Sequence, residues 1–79
     1  MKISEFLDLL CETLEKEKGS ITLKDNQDTL PEWDSLGHLS ILAVLETSLG
    51  VNSSDSDFPE FDSIGQLVEI LKQCEALED

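Results

Sequence analysis

Apolar residues open the chain at helical spacing. Ile3, Phe6, Leu7, Leu10, Cys11 and Leu14 follow the i, i+3, i+4, i+7 rhythm of an amphipathic helix. Ser4 is placed to cap it, Glu5 and Asp8 suit its positive end, and Gly19-Ser20 is expected to stop it. From Gly19 to Asp34 no period is sustained, and Ile21, Leu23 and Leu30 are expected to pin this long connection to the core. Pro31 disfavours helix at Leu30, so the second helix is predicted from about Ser35 to Leu49, ending at Gly50. Its apolar residues, Leu36, Leu39, Ile41, Leu42, Ala43, Val44 and Leu45, are too many for one stripe. They suit either a helix packed on most sides or one that keeps a face for cargo or partners, and the pattern leaves both open.

Asn52 to Asp62 is polar and acidic, anchored by Phe58 and Phe61, with room for one short helical turn limited by Pro59. Ser63-Ile64-Gly65-Gln66 fits a capping box for the last helix, whose buried face is Ile64, Leu67, Val68 and Leu71. No segment alternates at period two. The expected fold is all-α: a small four-helix bundle with a long first loop and a short third helix, one domain over residues 1–79.

Size and charge narrow the function. A domain of 79 residues has a thin core, with little room for a deep catalytic cleft. Eighteen acidic residues against five lysines give a net charge of -13. Lys2, Lys16, Lys18 and Lys24 lie in the first third and Lys72 near the end, with no basic residue between. Such a surface repels nucleic acid and anionic lipid and attracts basic protein surfaces. Acidity also serves solubility alone, which is its commonest role. The 39 % hydrophobic content, arranged in periodic blocks, argues for folding over disorder. Met1 to Leu10 lacks the basic flank and uninterrupted apolar run of a signal peptide, and no apolar run reaches membrane-spanning length, so a cytoplasmic location is expected.

Catalytic chemistry is sparse. The chain has one His, no Tyr, no Arg, no Gly-x-Ser-x-Gly and no glycine-rich phosphate loop. Cys11 and Cys74 have no closely spaced Cys or His partner, so no zinc pattern exists; both sit in apolar helical stretches, as small hydrophobes do. Asp55-Ser56-Asp57 starts like a calcium loop, but Pro59 and Glu60 break the motif. His38 follows Ser35 by one helical turn, yet a Ser–His hydrolase also needs an orienting group and an oxyanion hole. The chain is not expected to be an enzyme.

Trp33-Asp34-Ser35-Leu36-Gly37-His38-Leu39, followed by Ile41-Leu42-Ala43-Val44-Leu45-Glu46, resembles the modified serine and second helix of acyl and peptidyl carrier proteins. The resemblance spans nearly the whole chain, from amphipathic first helix to capped last helix, and implies a four-helix bundle of acyl-carrier-protein type. It implies that a phosphopantetheinyl transferase joins 4'-phosphopantetheine from coenzyme A to Ser35. The thiol of that arm then holds acyl or aminoacyl groups as thioesters for a loading enzyme and for downstream biosynthetic enzymes with basic docking surfaces. Asp34, Leu36, Leu39 and Glu46 are the implied partner contacts; Ile41, Leu42 and Leu45 line the core. A monomer is expected.

Ser35 also has an ordinary explanation as a helix cap. Asp62-Ser63-Ile64-Gly65 copies the local pattern, but it falls at the family's final helix, so Ser63 is assigned to capping and Ser35 to attachment. Many fatty-acid-synthesis carriers have acidic residues where this chain has Gly37 and Ser40, which points to a specialised pathway of fatty acid or secondary metabolite biosynthesis. The alternative is an unmodified acidic adaptor that docks a basic partner through its second helix.

Overall fold

In the computed structural model, which describes residues 1–53 and 55–78, the chain forms three helices: α1 (Ile3–Thr13), α2 (Ser35–Ser48) and α3 (Ile64–Gln73). Among the described residues there is no strand, only isolated bridges pairing Lys2 with Glu78 and Asn26 with Ser63. No helix among them is long and apolar enough to cross a membrane.

The short helix expected between α2 and α3 is not present among the described residues. Turns take its place: Asp55 N–H donates to Asn52 O, Phe58 N–H donates to Asp55 O, and the Asp55 side chain accepts from Asp57 N–H. Asp side chains that bond nearby backbone compete with helix, and Pro59 supplies no N–H to extend one. The described residues therefore form a three-helix fold with two long connections.

Helix ends also differ from expectation. Lys2, not Ser4, is the N-cap residue of α1, and the Glu5 carboxylate accepts from Lys2 N–H at 3.1 Å. The helix stops at Thr13, before Gly19-Ser20, because Glu15 adopts φ 59° and Lys16 N–H closes onto Cys11 O at 2.7 Å. The same closure ends α3, where Glu75 has φ 60° and Ala76 N–H bonds Leu71 O at 2.8 Å. A left-handed glutamate is a position that composition does not announce.

The core draws on every segment. Phe6, Leu10, Cys11 and Leu14 from α1 meet Ile64, Leu67, Val68 and Leu71 from α3, as the periodicity predicts. Ile21, Leu30 and Trp33 carry the first connection into this core, whereas Leu23 remains 46 % exposed. Its backbone does the pinning instead, since Leu23 O accepts Gly65 N–H and Asp25 O accepts Ile64 N–H. Cys11 is buried, but Cys74 is exposed at the end of α3, and both are free thiols. The chain ends are tied: Ile3 N–H donates to Glu78 O and Glu78 N–H to Met1 O, each at 3.0 Å, over buried Leu77.

Asp25 organises the first connection. Partial burial works against its charge, but Thr22 N–H and the hydroxyls of Thr29 and Thr22 donate to it, helped by the Lys16 ammonium, and its pKa falls below the usual carboxylate value. A lowered folded-state pKa stabilises above the unfolded value, and that stabilisation is lost as pH falls through the folded one. Asp25→Asn is therefore expected to cost about 1 kcal/mol at neutral pH, discounted for exposure. In urea titrations the deficit against wild type should begin to shrink below the ordinary aspartate pKa and vanish only below the lower folded-state pKa of Asp25. A deficit that persists in acid would contradict this role.

Candidate functional site

Helix α2 is the most apolar of the three helices and buries the narrowest stripe. Only Gly37, Ile41 and Leu45, spaced by four, are buried. Leu42, Val44 and Leu49 are half-buried, so Leu42 lies at the edge of the core rather than within it. Leu36 is 74 % exposed and Leu39 61 %, on the same side as exposed Ala43 and Glu46. These exposed leucines form an apolar strip on a strongly acidic chain. Of the two meanings left open by the pattern, a free face is the one that the burial favours. No charged residue lies between Asp34 and Glu46.

The start of α2 is fixed by close backbone packing. A methyl group on Gly37 would overlap the Glu32 carbonyl oxygen and lie 3.3 Å from Leu14 Cδ2. Glycine is required here by space, and an acidic side chain at this position is excluded on the same ground. Lys16 holds the Glu32 carboxylate at 3.3 Å. Glu32's own backbone N–H and this ammonium keep its carboxyl below the ordinary range. Trp33 is 2 % exposed; its indole N–H donates to His38 Nδ1 at 3.2 Å, and its ring lies 5.8 Å from that of Phe61. Phe61 in turn meets His38 at 5.3 Å and Phe58 edge-on at 6.4 Å. This aromatic cluster fastens both long connections to the first turns of α2.

Within that frame the two Asp-Ser-x-Gly segments take different registers. At α3, Ser63 is the N-cap: its hydroxyl accepts from Gln66 N–H at 3.1 Å, and Gln66 reaches back to Asp62 N–H at 2.8 Å. At α2, Asp34 is the N-cap and its Oδ1 accepts from Gly37 N–H at 2.9 Å. Ser35 is thus the first helical residue and not a cap. It is exposed, and its hydroxyl has no hydrogen-bond partner among the described residues. Of the other α2 hydroxyls, Ser40 and Thr47 are turned back onto the helix, to Leu36 O at 3.0 Å and to Ala43 O at 2.9 Å, while Ser48, exposed at the far end of the helix, has no hydrogen-bond partner among the described residues.

Ser35 opens into a groove lined by Gln27, Asp34, His38 and Leu39. The structure thus brings together Asp34, Ser35 and Leu39, places Leu36 beside them on the surface, and sets Glu46 farther along the helix. Gln27 is the residue that sequence reasoning missed; it stands in an aperiodic loop, eight positions away, with no motif to signal it. A lone His beside a helix start is more often hydrogen-bonded locally than catalytic, and the bond from Trp33 gives His38 that local part. Ser53, also unforeseen, donates its hydroxyl to Leu42 O at 2.9 Å and ties the second connection to α2. Among the described residues no group of three or more His, Cys, Asp or Glu could hold a metal ion. The chain matches no family model, no curated protein and no solved structure.

The two registers have separate energetic signatures. Asp34→Ala and Ser63→Ala should each lower unfolding free energy by about 1 kcal/mol, the usual cost of losing an N-cap. Ser35→Ala should stay within about 0.5 kcal/mol of wild type, as for a surface change with no lost partner. Equal losses at Ser35 and Asp34 in urea unfolding would show that Ser35 shares the cap.

Proposed function

We propose that the chain is a carrier protein, modified on Ser35 by phosphopantetheine, that presents acyl or aminoacyl groups to partner enzymes. The observation that carries this reading is the division of labour at α2, where Asp34 does the capping and Ser35 presents an unengaged hydroxyl at an open groove. A hydroxyl that does no structural work can be esterified without cost to the fold.

Ser35 would receive the group by forming an oxygen–phosphorus bond, giving up its proton as the nucleotide part of coenzyme A leaves. Once attached, the group supplies a terminal thiol on a flexible tether, which holds cargo as a thioester. Tethering raises the cargo's effective concentration at a docked partner. Asp34 keeps the first turn closed at Gly37 N–H while Ser35 is handled by the transferase. Leu36 and Leu39 supply apolar contact next to the attachment point, and the acidic surface favours partners with basic docking faces. Ser40 leaves this face uncharged, which suits dedicated partners of a specialised pathway, whereas Gly37 is buried and adds nothing to it. On this reading the turns closed at Asp55 and Phe58 stand where the family has its short third helix.

The exposed Leu36–Leu39 face equally suits the adaptor alternative, which has no use for the free hydroxyl. Intact-protein mass spectrometry after incubation with coenzyme A, magnesium and a broad-specificity phosphopantetheinyl transferase separates the two. The expected result is a gain of one phosphopantetheine on wild type and Ser63→Ala, and none on Ser35→Ala. No gain on folded wild type with several transferases would leave the adaptor.

A further inference from the structure

A phosphodiester on Ser35 would put a new negative charge beside Asp34 in a chain already at -13. No lysine or arginine lies between Lys24 and Lys72 in sequence, and Lys16 is engaged with Glu32. Of the residues lining the Ser35 groove, only Gln27 and His38 carry a side-chain N–H. Gln27 is an exposed loop residue with rotamer freedom to lose. His38 is already held.

The hold on His38 also selects its tautomer. Indole is a donor only, so the 3.2 Å contact from Trp33 Nε1 requires a bare Nδ1 on His38 and puts the proton of the neutral ring on Nε2. The Trp33 and His38 ring planes are nearly parallel, 8° apart with centroids at 6.4 Å, which is compatible with a hydrogen bond running from ring to ring. Phe61 limits the ring from another side at 5.3 Å. Among the described residues Nε2 has no hydrogen-bond partner, and no fully buried side-chain nitrogen or oxygen lacks one, so Nε2 is not sealed from solvent; His38, itself half-buried, borders both the Ser35 groove and a second hollow lined by Phe58, Glu60 and Phe61. His38 stands three residues after Ser35, on the same side of α2 and in the same groove.

We propose that His38 is a positioning residue whose Nε2–H donates a hydrogen bond to a non-bridging phosphate oxygen of the group carried on Ser35. Trp33, by occupying Nδ1, holds the imidazole in the donor form. The inference rests on the attachment reading. It goes further in giving this chain's own side chains a part in orienting the base of the arm, and it gives Trp33 a role besides bracing the loop.

Two amide substitutions separate the two edges of the ring. Gln places an N–H donor near the Nε2 position and forgoes the Nδ1 acceptor. Asn keeps an acceptor near Nδ1 for Trp33 and forgoes the Nε2 donor. The experiment loads wild type, His38→Gln and His38→Asn, confirms the added mass, and records the 31P resonance of each, with circular dichroism to show folding. Wild type and His38→Gln should share a 31P position from which His38→Asn departs by more than the linewidth. In wild type alone, loading should also slow solvent exchange of the His38 Nε2 proton until its resonance is observed. A 31P position common to all three proteins, or matched by His38→Asn and not by His38→Gln, would overturn the inference and leave His38 as Trp33's acceptor only. So would an unchanged Nε2 proton in loaded wild type. Wild type that takes up no mass refutes the attachment reading itself, and with it this inference.

Discussion

The contact of the Glu32 carbonyl with Gly37 is the constraint on which the rest of the candidate site depends. It brings the loop backbone against the first turn of α2 so closely that no side chain fits between them. Burial of Trp33, the next residue, secures that approach from inside, where a large aromatic surface leaves water and its N–H finds His38. With Glu32 and Trp33 so fixed, Asp34 falls at the N-cap and Ser35 one step inside the helix. The freedom of the Ser35 hydroxyl follows from packing two and three residues away.

The same packing accounts for the unusual economy of α2. A helix held by a single stripe of Gly37, Ile41 and Leu45 has its other faces to spare. In most small domains that surplus would be polar, since exposed leucines gain nothing for the fold. Here Leu36 and Leu39 stand beside Ser35 with Gln27, Asp34 and His38, while the charges of this acidic chain stay off the helix until Glu46. The groove thus combines a hydroxyl without a hydrogen-bond partner among the described residues, an imidazole held by Trp33 and an apolar rim.

Much of this was legible in the sequence because periodicity and burial obey one rule. The buried faces of α1 and α3, the extent of α2 and the Ser63 cap all follow from spacing and local chemistry. Helix ends set by left-handed Glu15 and Glu75 were not legible, since a tertiary closure overrides the residue's own preference there. The short third helix expected before the last one is not found among the described residues, where Asp side chains and Pro59 favour turns over a nascent helix. At the candidate site, the Asp34-Ser35-Leu36-Gly37 motif singles out Ser35 in sequence, and surplus hydrophobicity singles out Leu36 and Leu39. Which of Asp34 and Ser35 caps the helix depends on a carbonyl packing against Gly37, and no local pattern carries that.

The central claim is that Asp34, and not Ser35, closes the first turn of α2. Backbone amide hydrogen exchange at Gly37 reads that closure directly, because the Gly37 N–H is the proton that the Asp34 carboxylate accepts. Exchange at Gly37 should be slow in wild type and in Ser35→Ala, and faster in Asp34→Ala. Slow exchange that survives Asp34→Ala and is lost in Ser35→Ala would contradict the account, returning Ser35 to the role of a cap.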